Sequence, residues 1–193
     1  MSDALDRKRL FLVGNLSIFM IGLGFAVRAS IASDIQNDLF NQLDLARSAG
    51  LVGEVLGATF IGFALTLLFG SALVDRIGMR AMLLFSALGY IIGSALVLAV
   101  SFMPVSMLSY WLIFAGFLLT GLGWGAVEAA SNPMVTAVYP EENPHRLNIL
   151  HAWWPAGIVV GGIAGLAFAE LGLPWQVNLL MLVLPACWLA YLT

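Results

Sequence analysis

The sequence predicts an all-α membrane protein built from six transmembrane helices, and three observations carry that expectation. Of 193 residues, 61% are hydrophobic and 10% are charged, with a mean hydropathy of +0.97; soluble chains average about 25% charged residues. Long stretches have no polar residue on any helix face, which a soluble core would not allow. The few Lys and Arg residues fall between these stretches, at intervals that suit bilayer crossings.

Taken in order, the uncharged runs define the spans. Leu10 to Val27 is uncharged over 18 residues, longer than the apolar core of about 7–15 residues in a cleaved leader, so it reads as a retained first helix. Val55 to Val74 forms the second. From Ala81 to Val127 there are 47 residues without a charge. At about 1.5 Å per residue that run would reach about 70 Å as one helix, twice the hydrocarbon thickness. It must reverse once, and Pro104, between Ser101 and Ser106, marks the place. The expected spans are about 10–32, 51–74, 81–100, 107–138, 147–169 and 173–193, in one domain covering 1–193.

Charge distribution orients them. Arg7, Lys8, Arg9, Arg76, Arg80 and Arg146 would all lie on one side, leaving Arg47 in an opposite loop and Arg28 late in the first span. Both termini are therefore expected in the cytoplasm, in a cell (inner) membrane protein. The net charge of -3 and the absence of a further basic cluster give no nucleic-acid footprint. One cysteine, Cys187, excludes an intrachain disulfide. With two histidines, His145 and His151, and no clustered ligands, there is no catalytic or metal-binding set and no cofactor is expected.

Two stretches depart from a plain helix bundle. The first is GSALVDRIGMR, from Gly70 to Arg80. Gly70 permits close packing, Gly78 permits a tight reversal, and Asp75, Arg76 and Arg80 stand at the membrane surface. By composition alone this is a basic loop with a glycine turn. The second runs from Gly121 to Gly162. It sets Glu128 in an apolar run, follows it with Asn132 and Pro133, and after a charged hinge presents Asn148, His151, Trp153, Trp154 and Pro155. Glu128, Ser131 and Asn132 share a helix face, with Trp124 a turn earlier.

The first stretch resembles the signature Gly-x-x-x-x-Asp-Arg-x-Gly-x-Arg/Lys between the second and third helices of a major facilitator superfamily half. That resemblance implies a gating role for Gly70, Asp75, Arg76, Gly78 and Arg80. The second resembles the fucose permease branch of that superfamily, the fucose, galactose and glucose proton symporters. There Glu-x-x-x-Asn-Pro lies on the fourth helix and Arg-Leu-Asn opens the fifth, matched here by Glu128, Asn132, Pro133, Arg146, Leu147 and Asn148. The resemblance implies the amino-terminal half of such a fold, a 3+3 inverted repeat. It also implies symport of a small polar solute, above all a sugar, with a proton or sodium ion by alternating access. In the branch an acid lies late in the first helix; here Ser30 stands at that position and Asp34 is the nearest acid.

Physical chemistry gives the same residues work. A carboxylate in hydrocarbon costs at least about 2.5–3.5 kcal/mol, so an acid at the place of Glu128 faces a bundle interior or an aqueous cavity. Desolvation favours its neutral form, which suits a proton carrier. The bland reading is a bond to a neighbouring helix. Asn132, Trp124, Asn148, His151, Trp154 and Arg28 are the candidate cargo contacts: a sugar needs paired donors and acceptors and an aromatic face for its C–H surface. For Trp153 and Trp154 an interfacial belt is the alternative. Arg28 lies about 28 Å along the first helix from Arg9, where snorkelling to the outer surface competes with a cavity-facing role. Gly157, Gly161, Gly162 and Gly165 read as a packing stripe. The rival functions are export of amphipathic compounds and a non-transporting membrane partner or solute sensor. The chain ends in the sixth span, so a missing carboxyl-terminal half or a second chain is expected to complete it.

Overall fold

The computed structural model describes residues 6–193. The first five, part of the amino terminus expected to be cytoplasmic, lie outside the described residues. Six long helices account for nearly all the rest. Asp6 caps α1 (Arg7–Ile35), accepting from the Arg9 N–H at 3.1 Å. A π turn over Gln36–Phe40 and one further turn, Asn41–Leu43, extend it. α2 (Ser48–Ile77) and α3 (Met79–Ala99) are separated by Gly78 alone. A short 3₁₀ turn, Val100–Phe102, leads to Pro104 and then to α4 (Met107–Val138). Ser106 and Ser109 cap α4 reciprocally. α5 covers Asn143–Glu170; Gly172, at φ +67°, turns the chain into a 3₁₀ segment, Trp175–Leu179, and α6 (Leu180–Leu192).

The burial pattern is that of a lipid-solvated bundle. α1 and α4 are the most enclosed helices, whereas α2 and α5 lie at the periphery. Exposed Phe60, Leu65, Leu68 and Phe69 of α2 and Val159, Ile163 and Leu166 of α5 are large and apolar. Such faces are stable against acyl chains or another apolar protein surface. This is a multi-pass membrane protein.

Helix pairing carries an internal symmetry. α1 packs on α5 as α4 packs on α2; α3 packs on α4 as α6 packs on α1; and α3 pairs with α6. Exchanging the first three helices with the last three therefore reproduces the pattern, as half of a major facilitator fold requires. Glycines set the two equivalent crossings. At α1–α5, a Cβ on Gly22 would lie 3.0 Å from the Gly157 Cα and collide with the Trp154 carbonyl. At α4–α2, one on Gly121 would collide with the Thr59 carbonyl and one on Gly62 would meet the Leu122 nitrogen at 2.7 Å. Backbones touch here because lipid offers no hydrophobic drive, so contact area must come from close approach. Of the sequence stripe, Gly157, Gly161 and Gly165 face α1, but Gly162 has nothing within 4 Å.

Side-chain bonds tie the bundle at both ends. At the acidic end the Trp175 indole donates to Asp38 (3.1 Å) and the Tyr110 hydroxyl donates to Glu54 (2.7 Å). At the basic end Arg9 donates to the Leu192 carbonyl (2.7 Å) and the Tyr139 hydroxyl to the Arg7 carbonyl (3.2 Å).

Replacing Gly22 by Ala is expected to cost about 1–3 kcal/mol by overpacking, and Gly53→Ala, at an open position of α2, to cost nothing. Thermal unfolding of the full-length protein in detergent checks the pair; equal melting of the two variants would remove the crossing from its structural role.

Candidate functional site

Chemistry-bearing residues lie inside the spans of α1, α3 and α4, and two of them, Arg28 and Tyr90, meet there. Glu128 occupies α4 about 15 Å of helical rise before its last residue. It is half-buried and makes no hydrogen bond or ion pair among the described residues. Among the described residues the ion pairs are Arg47–Glu54 and Arg146–Glu142, both at the helix ends.

Arg28 lies deeper than the sequence suggested. It is 5% exposed, and its guanidinium sits beside the Tyr90 hydroxyl: a Cβ on Gly24 would be 3.2 Å from Arg28 Nη1 and 3.4 Å from the Tyr90 oxygen. Tyr90 is near the middle of α3, so Arg28 is at mid-depth and does not snorkel to the surface. The reason is local: α1 does not end near Arg28 but continues through Asp34 to Ile35 and, by the π turn, to Leu43. Asp34 is therefore a helical residue, half-buried. The Arg28 Nη atoms and the Tyr90 hydroxyl all lack a hydrogen-bond partner of good geometry. Tyr90 is itself fully buried. Its ring also leans on α4, with Cδ2 3.3 Å from where a Cβ on Gly123 would stand.

Around this group α4 carries further buried polar atoms without partners: Trp124 Nε1, Ser131 Oγ and Asn132 Oδ1. The Trp124 ring is already in use, stacked on Phe63 at 4.3 Å and set edge-on to Phe60 at 5.8 Å. α5 is different. Asn148 and His151 are exposed and make no hydrogen bond with the α1–α3–α4 group. Trp153 and Trp154 pack edge-on against Phe19 (5.9 Å) and Phe25 (6.2 Å) of α1. Pro133 and Pro155 lie inside continuous helices.

The loop residues separate by role in the fold. Gly70 is not at a helix end; it lies buried within α2, where a Cβ would meet Met82 Cε at 2.9 Å. Gly78 has φ +87° and ψ 142°, a conformation open essentially to glycine alone. Asp75, Arg76 and Arg80 are exposed and unpaired among the described residues.

Two features escaped the sequence reading. Tyr90 resembles any aromatic in an apolar run until the folded bundle brings its hydroxyl beside the Arg28 guanidinium. Arg146 is the other. Its guanidinium lies 4.5 Å from the Tyr139 ring centroid and 5.2 Å from that of Phe11, and it donates to Glu142 at 2.8 Å. An aromatic cradle thus pins the α4–α5 turn to α1.

Comparison with known proteins agrees with this architecture. A family model described as Major Facilitator Superfamily matches residues 10–193. The L-fucose-proton symporter of Escherichia coli (strain K12) is 25% identical over 126 residues, 64% of this chain and 28% of that protein. Myo-inositol transporter 1 of Saccharomyces cerevisiae (strain ATCC 204508 / S288c) is 25% identical over 179 residues, 91% of this chain and 29% of that protein. The minor myo-inositol transporter IolF of Bacillus subtilis (strain 168) is 31% identical over 125 residues, 64% and 27% of the two chains. The matched segments thus span less than a third of each relative's length.

A double-mutant cycle between Arg146→Gln and Tyr139→Leu is expected to give a coupling energy of about 0.5–1 kcal/mol. Unfolding of the four proteins in detergent measures it, and strictly additive losses would dissolve the cradle.

Proposed function

Because this chain belongs to the major facilitator superfamily, we propose that it moves a small polyhydroxylated ring, a sugar or a cyclic polyol, across the membrane together with a proton. Glu128 carries that proton. One observation carries the reading: an acid well inside α4 is half-open and has no fixed counter-ion in contact. A carboxylate so placed is costly as an ion and cheap as an acid. It therefore changes charge as its surroundings open to water and close again.

The names of the relatives support the solute class, since fucose and myo-inositol both present a ring of hydroxyls. The proton, in preference to sodium, follows from the fucose symporter alone. Asn132, Trp124 and Arg28 on the inner helices and Asn148, His151 and Trp154 on α5 are the candidate cargo contacts. A second six-helix unit, in the same polypeptide or another, completes the cavity around them. The basic end faces the cytoplasm by the positive-inside rule, and Asp75, Arg76 and Arg80 there meet the other unit during gating.

Alternating access suits a half that moves as one body. The glycine crossings bring backbones into contact, and hydrogen bonds clamp both ends. Packed interfaces of this kind rock between discrete positions and do not deform continuously.

In vesicles holding the full-length transporter, Glu128→Gln is expected to abolish accumulation of hexoses and inositols driven by a proton gradient. Exchange of the same solutes across the membrane should persist, because a neutral glutamine mimics the loaded acid. Accumulation at the wild-type level would take Glu128 out of the carrier role.

A further inference from the structure

At its basic end the bundle holds a cavity of about 310 Å³, enclosed by α1, α3, α4 and α6 and apart from Glu128. Its lining sorts by depth. Val13, Leu83 and Met134 form an apolar floor and are 3%, 2% and 5% exposed. Arg9 and Arg80 stand at the mouth, both exposed, each about one helical turn before the floor residue of its own helix. No acid lines the cavity among the described residues. Arg9 uses Nη2 on the Leu192 carbonyl, and Arg80 makes no side-chain hydrogen bond or ion pair among the described residues.

Two properties of this cavity select a ligand. Its floor is dry by chemistry, because a bound water needs about two to four polar partners and Val, Leu and Met offer none worth the name. Its mouth is cationic, and a guanidinium fork matches the two oxygens of a carboxylate by parallel hydrogen bonds. The volume lies at the lower end of small-molecule sites, about 300–1,000 Å³. At about 30 Å³ for each water-sized group, it has room for about ten methylenes.

We propose that this cavity binds a fatty acid of medium length, its carboxylate at Arg9 and Arg80 and its single chain on the floor of Val13, Leu83 and Met134. A phospholipid does not fit the same space, since it brings two tails, each long enough to cross half of a hydrocarbon core of about 30 Å. A larger hollow between α2 and α3, about 390 Å³, makes the contrast: apart from Thr66 its lining is apolar, with no charge to hold a headgroup. Chain length therefore sets affinity, each methylene tightening binding about fourfold until the cavity is full. The arginines set the preference for an anion, with a modest effect because both are exposed. The site is independent of Glu128 and of the identity of the transported solute.

The test is photolabelling of the full-length protein in lipid nanodiscs with decanoate bearing a terminal diazirine, the labelled segments being mapped by mass spectrometry. Unlabelled carboxylates of about 6 to 14 carbons compete, and their potency is taken against free aqueous concentration. Saturable label is expected in the segments of Val13, Leu83 and Met134. Competition should strengthen about fourfold per methylene and level off near ten carbons. Methyl decanoate and decylamine should compete less well than decanoate. Arg9→Gln and Arg80→Gln should each weaken decanoate by about two- to fivefold without moving the levelling-off point. Leu83→Trp, which fills the floor, should move that point to shorter chains. Label confined to the lipid-facing residues of α2 and α5 would overturn the site. So would methyl decanoate competing as well as decanoate, or competition that goes on strengthening through the longest chains as partition into bulk lipid does.

Discussion

Charge inside hydrocarbon is the constraint from which the arrangement of this protein follows. A bilayer interior offers no water to solvate an ion, so each ionisable side chain at depth needs compensation from the protein or must become neutral. Most charged residues meet the constraint by lying at the helix ends. Arg28 and Glu128 do not, and the helices that carry them, α1 and α4, are the enclosed centre of the bundle. The periphery, α2 and α5, turns apolar faces outward. The division into polar centre and greasy rim is thus a consequence of where two charges must be kept.

Keeping them there demands close packing without hydrophobic drive. Glycine answers at the two symmetry-related crossings, where α1 meets α5 and α4 meets α2. Because the same solution recurs after exchange of the helix triplets, each central helix is braced by one peripheral helix in the same way. The aromatic cradle of Arg146 and the bonds at either end then fix the rims. Under the proposed transport role, such a body would rotate as a unit with its interior geometry constant, so that Glu128 would meet water from alternate sides without being unpacked.

Much of this could be read from the sequence, for identifiable reasons. Six helices follow from charge-free runs, and Pro104 and Gly78 mark reversals because proline and positive φ leave local signatures. That an acid, Glu128, stands in an apolar run is visible in the sequence, and transfer cost gives it a reason to face inward. What could not be read depends on contacts between distant residues. Asp34 and Asp38 interrupt the hydropathy of α1 and disguise its continuation to Leu43, so the depth of Arg28 came out too shallow. The second span is expected to stop at 74 because Asp75 and Arg76 follow, yet α2 runs to Ile77. Tyr90 and Arg28 are 62 positions apart, and nothing local in either announces the other. Phe11, Tyr139 and Arg146 meet for the same hidden reason.

A proton carried on Glu128 requires water to reach that residue within the membrane. Thiol labelling measures this: Glu128→Cys, in full-length protein whose native cysteines, Cys187 among them, have been replaced, is exposed to membrane-impermeant maleimide from each side in turn. The account predicts modification by the water-soluble reagent. A residue that reacts only with a lipid-soluble maleimide, and is untouched from either aqueous side, would contradict it.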